Sequence, residues 1–358
     1  MRIQIVAYLH GSGGAERQIT LLANYMAQKG HDVHFVILAD CNIRYSINEN
    51  IKIYNLSKEE SGRGIIRIIK RYKALKKTTR KIKPDVSIHY WLQSAYFSVM
   101  FSREYRGKVI YSERGDPYDK EFNGIVGIIR WLADFKIDGF VFQSEGARDF
   151  FSESIKQRSV IIHNSVNIPR DKYPNSIIRE NRIVNVGRLH PQKNQKILID
   201  AFALISSKYS DYILEIYGEG ELRASLEKQI LNKGLQGRVI LCGATKNIFD
   251  RIHNASLFVL TSDYEGIPNA LLEAMALGMP CISTDCRPGG ARTLIENGKN
   301  GFIVPVNDAG SLSERMDYVL SHRTIADSIA AQARSIVDSH TDKAVFDRWE
   351  QFLSKISR

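Results

Sequence analysis

The sequence predicts an α/β protein made of two doubly wound domains, each a parallel sheet between helices. Three observations predict it. Short apolar runs alternate with helical patterns along both halves of the chain. A glycine-bearing turn follows an apolar strand near Gly11 to Gly14, and another follows one at Gly187. The 358 residues give each half enough chain for its own core. A hydrophobic content of 44% with 25% charged residues fits a globular chain and argues against disorder. With no signal pattern and no apolar run long enough to span a bilayer, a cytoplasmic location is expected. Cys41, Cys242, Cys281 and Cys286 are scattered without a C-x-x-C pair, which points to reduced thiols and away from a disulfide framework or zinc site.

Met1 to Tyr8 reads as the first strand. His10-Gly11-Ser12-Gly13-Gly14 is the turn, and a helix follows with Ile19, Leu22, Ala23 and Met26 on one face. Val33 to Leu38 is the second strand. Small residues in the turn let a phosphate or sugar approach the backbone. A dinucleotide site is one reading, because Asp40 ends the second strand where a ribose-binding acid belongs. Against it, Glu16 stands where the third glycine of that motif should be.

The net charge of +11 calls for an anionic partner, and Arg63 to Lys83 concentrates it: ten basic residues and no acidic one. Ile65, Ile68, Ile69, Tyr72, Leu75 and Ile82 recur at helical spacing, so the segment is a basic amphipathic helix. Its apolar stripe is expected to pack on the domain's own sheet. Its basic face suits an anionic membrane, at ~1 kcal/mol per residue near the headgroups. Nucleic acid is not expected, for want of a binding motif or interleaved aromatics. A merely solvated helix is the plain alternative.

Pro84 to His89 and Lys108 to Tyr111 read as strands, the latter ending in Ser112-Glu113-Arg114-Gly115-Asp116-Pro117. This charged turn is either part of a site or a salt-bridged surface turn. Gly139 to Phe142 runs into a helix that Ser144 would cap. Val160 to Asn164 closes the first domain, and the polar stretch Pro169 to Asn181 reads as a linker.

The second half opens with the strand Ile183 to Val186 and then Gly187-Arg188-Leu189-His190-Pro191-Gln192-Lys193-Asn194. Two cations five residues apart at a strand end describe a loop able to clamp a diphosphate. Leu214 to Leu222 is a further strand–turn–helix unit, and Val239 to Gly243 another strand. Leu257 to Leu260 is a short buried strand, Thr261 to Gly266 its turn, and Pro268 stands where a helix would start, its missing N–H costing nothing there. That helix runs through Asn269-Ala-Leu-Leu-Glu-Ala-Met-Ala-Leu to Gly278. Glu265 lies in the loop, and Glu273 lies about one and a half turns into an otherwise apolar helix, where a carboxylate is costly without a partner. Between them, free N–H groups at the helix start favour an anion.

Glu265-Gly266-Ile267-Pro268 with Glu273 resembles the E-x7-E signature of the family-four retaining glycosyltransferases. Gly187-Arg188-Leu189 followed by Lys193-Asn194 resembles the same family's Gly-Arg-Leu-x-x-x-Lys-Asn segment, and Gly13-Gly14-Ala15-Glu16-Arg17 its first loop. The departure is Arg292-Thr293, where relatives commonly carry an acid before an apolar pair. The resemblance covers essentially the whole chain and is most specific in the second half. It implies the GT-B fold, two Rossmann-like domains facing a cleft: residues 1–168 on the acceptor side, 182–338 for the nucleotide sugar, and 339–358 crossing back to the first domain. It further implies transfer of a hexose or N-acetylhexosamine, with retention, from a nucleotide-diphosphate sugar (UDP is expected). The implied acceptor is a polyprenyl-diphosphate-linked glycan of surface polysaccharide such as O-antigen or capsule.

By the same resemblance Glu265 holds donor-sugar hydroxyls, Glu273 the ribose, and Arg188 and Lys193 the diphosphate. Gly13 and Gly14 let it approach, and Gly266, Ile267, Pro268, Asn269 and Leu272 complete the donor site. Glu113, Arg114 and Asp116 are the acceptor-side candidates. No metal or cofactor is implied. A catalytically silent GT-B scaffold and an NAD-linked oxidoreductase are the alternatives. The intact charged residues argue against the first, and Glu16 with the second-half cations against the other.

Overall fold

The computed structural model describes residues 1–8, 13–38, 45–57, 65–90, 92–101, 107–118, 130, 132–169, 171–174 and 178–357. The chain divides into two compact units, one formed by Met1–Ser165 with Asp342–Arg358 and the other by Val166–Thr341.

In the first unit seven strands run parallel: β1 (Arg2–Ala7), β2 (Asp32–Ile37), β3 (Lys52–Asn55), β4 (Val86–His89), β5 (Lys108–Ser112), β6 (Gly139–Phe142) and β7 (Ser159–Ile161). Their order across the sheet is β3-β2-β1-β4-β5-β6-β7, with Ile3 level with Val33 on one side and Val86 on the other. The second unit has six: β8 (Glu180–Val186), β9 (Ile213–Tyr217), β10 (Val239–Gly243), β11 (Ala255–Leu260), β12 (Cys281–Thr284) and β13 (Phe302–Val304), ordered β10-β9-β8-β11-β12-β13 and again parallel. Helices cover both faces, so central strands such as Ile3 to Ala7 and Ala255 to Leu260 are buried throughout. That is why they read as apolar runs, broken only by Gln4 and Ser256, whose side chains are hydrogen-bonded to Thr79 and the Glu180 carbonyl. In each sheet the strand order reverses beside the first strand, between β1 and β4 and between β8 and β11. Ligands of doubly wound sheets bind outside the strand ends at such reversals.

Helix α1 (Gly14–Gln28) buries Ile19, Leu22, Ala23 and Met26, the face its spacing predicts. Helix α2 (Ile65–Ile82) corrects the expectation for the basic segment in part. Tyr72, Leu75 and Ile82 are buried, but Ile66, Ile68 and Ile69 are 56%, 47% and 47% exposed. The helix start projects beyond the apolar surface that covers its second half. Strand β3 carries no alternation in Lys52-Ile-Tyr-Asn and lies at a sheet edge, which is why the sequence pattern passes it over. Helix α3 (Leu92–Phe101) follows β4. The terminal helix Asp342–Ser357 belongs to the first unit and buries Val345, Phe346, Trp349 and Leu353. It passes so close to the start of β6 that a Cβ on Gly139 would lie 2.3 Å from the Ile356 side chain.

Candidate functional site

The second unit gathers four sequence-identified charges at its strand-order reversal. Arg188 and Lys193 follow β8, while Glu265 and Glu273 follow β11, and these two strands are paired neighbours. Topology therefore places the cation loop beside the carboxylate loop, although more than 70 residues separate them in sequence.

Hydrogen bonds fasten the two loops together. The Asp263 N–H donates to the Gln192 carbonyl at 2.9 Å. Gln192 Nε2 donates to the Tyr264 carbonyl at 2.9 Å, Thr261 Oγ1 to the Lys193 carbonyl at 2.9 Å, and Asn194 Nδ2 to Asp263 Oδ1 at 2.8 Å. Asn194 sits in the left-handed region (φ 44), which turns the chain from the Pro191–Lys193 turn into the Gln195–Ile205 helix. A third loop locks the first two. Thr284 Oγ1 donates to the Ser262 carbonyl at 2.6 Å, and the Glu265 N–H to the Arg287 carbonyl at 2.7 Å. A Cβ on Gly290 would fall 1.4 Å from the Gly266 carbonyl oxygen, so only glycine lets the Gly290–Leu294 helix approach the carboxylate loop.

On this frame Lys193 Nζ forms an ion pair with Glu265 Oε1, and Ser262 Oγ donates to the same oxygen at 2.8 Å. The Lys193 and Glu265 side chains are only 18% and 10% exposed. Arg188 is exposed, and its guanidinium makes no ion pair among the described residues. Glu273 is buried within the Asn269–Ala276 helix, whose first turn carries no side-chain cap. Ile267 and Leu272 lie in the apolar core beneath that helix, where they fix its seat; Leu272 is fully buried. Pro268 stands just before the helix in extended conformation (φ −73, ψ 106), one residue outside the position the sequence suggests. Arg292, at the departure from the family pattern, pairs with Asp285. The nearby Cys286 thiol is pushed up to about 12, chiefly by burial and then by the Glu265 charge, so it stays protonated and supplies no thiolate.

In the first unit, Gly13 and Gly14 occupy the start of α1 after β1. His10, Gly11, Ser12, Asp40, Cys41 and Arg63 lie outside the described residues. Glu113 is buried and engaged by its own turn: Tyr111 Oη donates to Oε2 at 2.7 Å, and the N–H groups of Arg114 and Gly115 donate to Oε1 at 3.0 and 2.9 Å. Arg114 donates to Asn164 Oδ1 at 2.8 Å and lies 5.0 Å from the Tyr90 ring and 5.8 Å from the Trp349 ring. Asp116, also buried, accepts from the Tyr118 N–H at 3.0 Å. These three residues thus build the turn that closes β5. Ser144 caps its helix as expected, accepting from the Ala147 N–H at 3.1 Å.

Sequence reasoning assigned no role to Ser262, Gln192, Asn194 or Gly290. Ser262 stands three residues before Glu265, a spacing open to notice. The others act across long sequence separations that no local pattern displays.

Both halves of the chain resemble known proteins. Residues 12–170 match the family model described as Glycosyltransferase Family 4, and residues 170–336 match Glycosyl transferases group 1. A Campylobacter jejuni protein, N-acetylgalactosamine-N,N'-diacetylbacillosaminyl-diphospho-undecaprenol 4-alpha-N-acetylgalactosaminyltransferase, is 29% identical over 337 residues, covering 89% of this chain and 90% of its own. A second C. jejuni enzyme, an alpha-1,4-N-acetyl-D-galactosaminyltransferase acting on a diNAcBac-PP-undecaprenol-linked glycan, is 22% identical and covers 99% of both chains. Among solved structures, Anabaena Alr3699/HepE in complex with UDP superimposes with a TM-score of 0.81 at 18% identity, over 99% of this chain and 100% of that one. The chain belongs to the family-four-like glycosyltransferases of GT-B fold.

Proposed function

We propose that this glycosyltransferase moves a hexose or N-acetylhexosamine, with retention, from a UDP-sugar to a polyprenyl-diphosphate-linked glycan during polysaccharide assembly. The observation that carries the reading is the Lys193–Glu265 ion pair at the strand-order reversal of the second unit, with Arg188 on the loop after β8 and Glu273 in the helix after β11. Arg188 and Lys193 neutralise the diphosphate and stabilise the charge that grows on it as the glycosidic bond breaks. Glu265 accepts hydrogen bonds from sugar hydroxyls and Glu273 from the ribose. Gly266, Pro268 and Asn269 shape the wall between them, and Ile267 and Leu272 seat the helix from the core beneath it. The departing phosphate assists deprotonation of the acceptor on the face it leaves. The reading requires neither a protein nucleophile nor a metal. The UDP-bound relative and the two lipid-linked-glycan transferases support the donor and acceptor classes.

The acceptor's lipid places the reaction at a bilayer. Within this proposal α2 meets the anionic inner face of the plasma membrane. No helix among the described residues is long and apolar enough to cross a membrane, so a peripheral contact is the form the proposal takes.

Calorimetric titration with UDP, GDP and NAD tests the donor class. Binding of UDP alone, at micromolar level, is expected. Binding of GDP alone changes the donor, and binding of NAD alone overturns the reading.

A further inference from the structure

Under the proposed function, Lys193 serves the diphosphate and Glu265 the sugar. In the structure each is the other's partner. We propose that the Lys193–Glu265 ion pair is an exchange element by which the site distinguishes a glycosylated nucleoside diphosphate from the bare one. The inference rests on the donor reading above and adds a specificity role that the reading does not contain.

The pair is largely withdrawn from solvent, at 18% and 10% side-chain exposure, and both Lys193 Nζ and Ser262 Oγ reach the same carboxylate oxygen. Removing one partner of such a pair leaves an uncompensated charge in a poorly solvated place, which costs more than the pair itself contributes. The loops cannot relieve this by moving apart, because four hydrogen bonds join the Gln192–Asn194 segment to Thr261, Asp263 and Tyr264. Only the side chains can exchange partners.

A UDP-sugar supplies both replacements. Its phosphate oxygens accept from Lys193, and its sugar hydroxyls donate to Glu265. Bare UDP supplies only the first. It takes the cation and leaves Glu265 beside a diphosphate, with Ser262 as its remaining donor and a like charge nearby. Arg188, exposed and without an ion pair among the described residues, anchors the phosphate in either case. Lys193 then makes binding conditional on the sugar. Once the sugar has left on the acceptor, the pair can re-form and displace UDP, so one contact opposes product inhibition.

Binding of UDP and of UDP-sugars (UDP-glucose, UDP-galactose and their N-acetylamino counterparts) to the full chain, measured by calorimetry, tests this in wild type, Glu265→Gln and Ser262→Ala. Wild type is expected to prefer its UDP-sugar over UDP by roughly tenfold or more, a factor equivalent to about 1.4 kcal/mol. Glu265→Gln removes the competing charge, so UDP should bind several-fold tighter than to wild type while the preference for the sugar collapses. Ser262→Ala acts in the opposite sense. Glu265 then depends more on Lys193, UDP weakens, and the preference widens. Unchanged or weaker UDP binding by folded Glu265→Gln overturns the proposal. If that variant does not fold, an unchanged or narrower preference in Ser262→Ala overturns it instead. Failure of wild type to bind either UDP or any UDP-sugar overturns the donor reading itself, and the exchange with it.

Discussion

At the scale of single residues, position and environment separate function from structure. Gly13 has φ −68, and among the described residues a Cβ there would meet nothing closer than the Glu16 side chain at 3.8 Å. Its backbone angle is one that any residue adopts, and the described residues leave room for a side chain. Gly13→Ala is expected to leave the thermal midpoint within about 1 °C, since a surface change without strain moves stability by only a few tenths of a kcal/mol. If the glycine serves close approach of the donor, the same variant should lose most of its transfer activity; full activity would remove Gly13 from the site. Arg114 makes the opposite prediction. Its hydrogen bond to Asn164 and its contacts with Tyr90 and Trp349 are internal to the first unit. Arg114→Ala should cost about 2 kcal/mol of stability by denaturant unfolding, from a lost charged hydrogen bond and cation–π contacts. His89 is fully buried between Ser87 Oγ (2.9 Å) and Ser94 Oγ (3.0 Å), and burial pushes its pKa down to about 3. The unfolded chain binds this proton near pH 6.5 and the folded chain does not. Its contribution is therefore complete above pH 6.5 and is lost as pH falls toward 3, by about 1.4 kcal/mol per pH unit. A stability–pH profile of His89→Gln should be flatter across that window; an unchanged slope would remove His89 as the source.

At the scale of elements, strands and loops differ in how openly the sequence shows them. Central strands were legible because both faces are covered, which leaves few polar positions, such as Gln4 and Ser256, to blur the run. Edge strand β3 was not, since half-exposed residues carry mixed chemistry. Arg188, Lys193 and Glu265 stood out by spacing and position at strand ends, and Glu273 by being costly inside an apolar helix. Gly290 and Gln192 did not, because their work is to join loops that only the sheet topology brings together. Helix α2 shows the same limit. Spacing announced its amphipathic character, but only the structure reveals that the first turns stand clear of the unit, with Ile66, Ile68 and Ile69 exposed among Arg67, Lys70 and Lys73. If this end meets the membrane, Ile66→Glu with Ile69→Glu should leave folding intact and cut co-sedimentation with phosphatidylglycerol vesicles roughly tenfold or more, because two apolar anchors are lost and two repelled charges gained. Wild-type co-sedimentation by the double variant would refute the contact.

At the scale of the whole molecule, the two units differ in chain continuity. The second is one uninterrupted segment. The first is assembled from the beginning of the chain and its last helix, whose Trp349 is 1% exposed in a core shared with β1, β2 and α1. The chain leaves and returns along adjacent paths: the Val166 N–H donates to the His340 carbonyl at 2.8 Å. Trp349→Ala should therefore destabilise the first unit by about 3–5 kcal/mol, as large core truncations do. Amide exchange should show the loss in β1, β2 and α1 while the strands of the second unit keep their protection. Uniform loss across both units would mean that they unfold as one.

That discontinuity also orders events during synthesis. Val166 to Thr341 leaves the ribosome ahead of the terminal helix, so the second unit can close without it. The first unit must wait, its apolar sheet face uncovered, until Asp342 to Ser357 arrives. The part of the chain translated first is the last to finish folding, and it is there that a nascent chain would most need a chaperone.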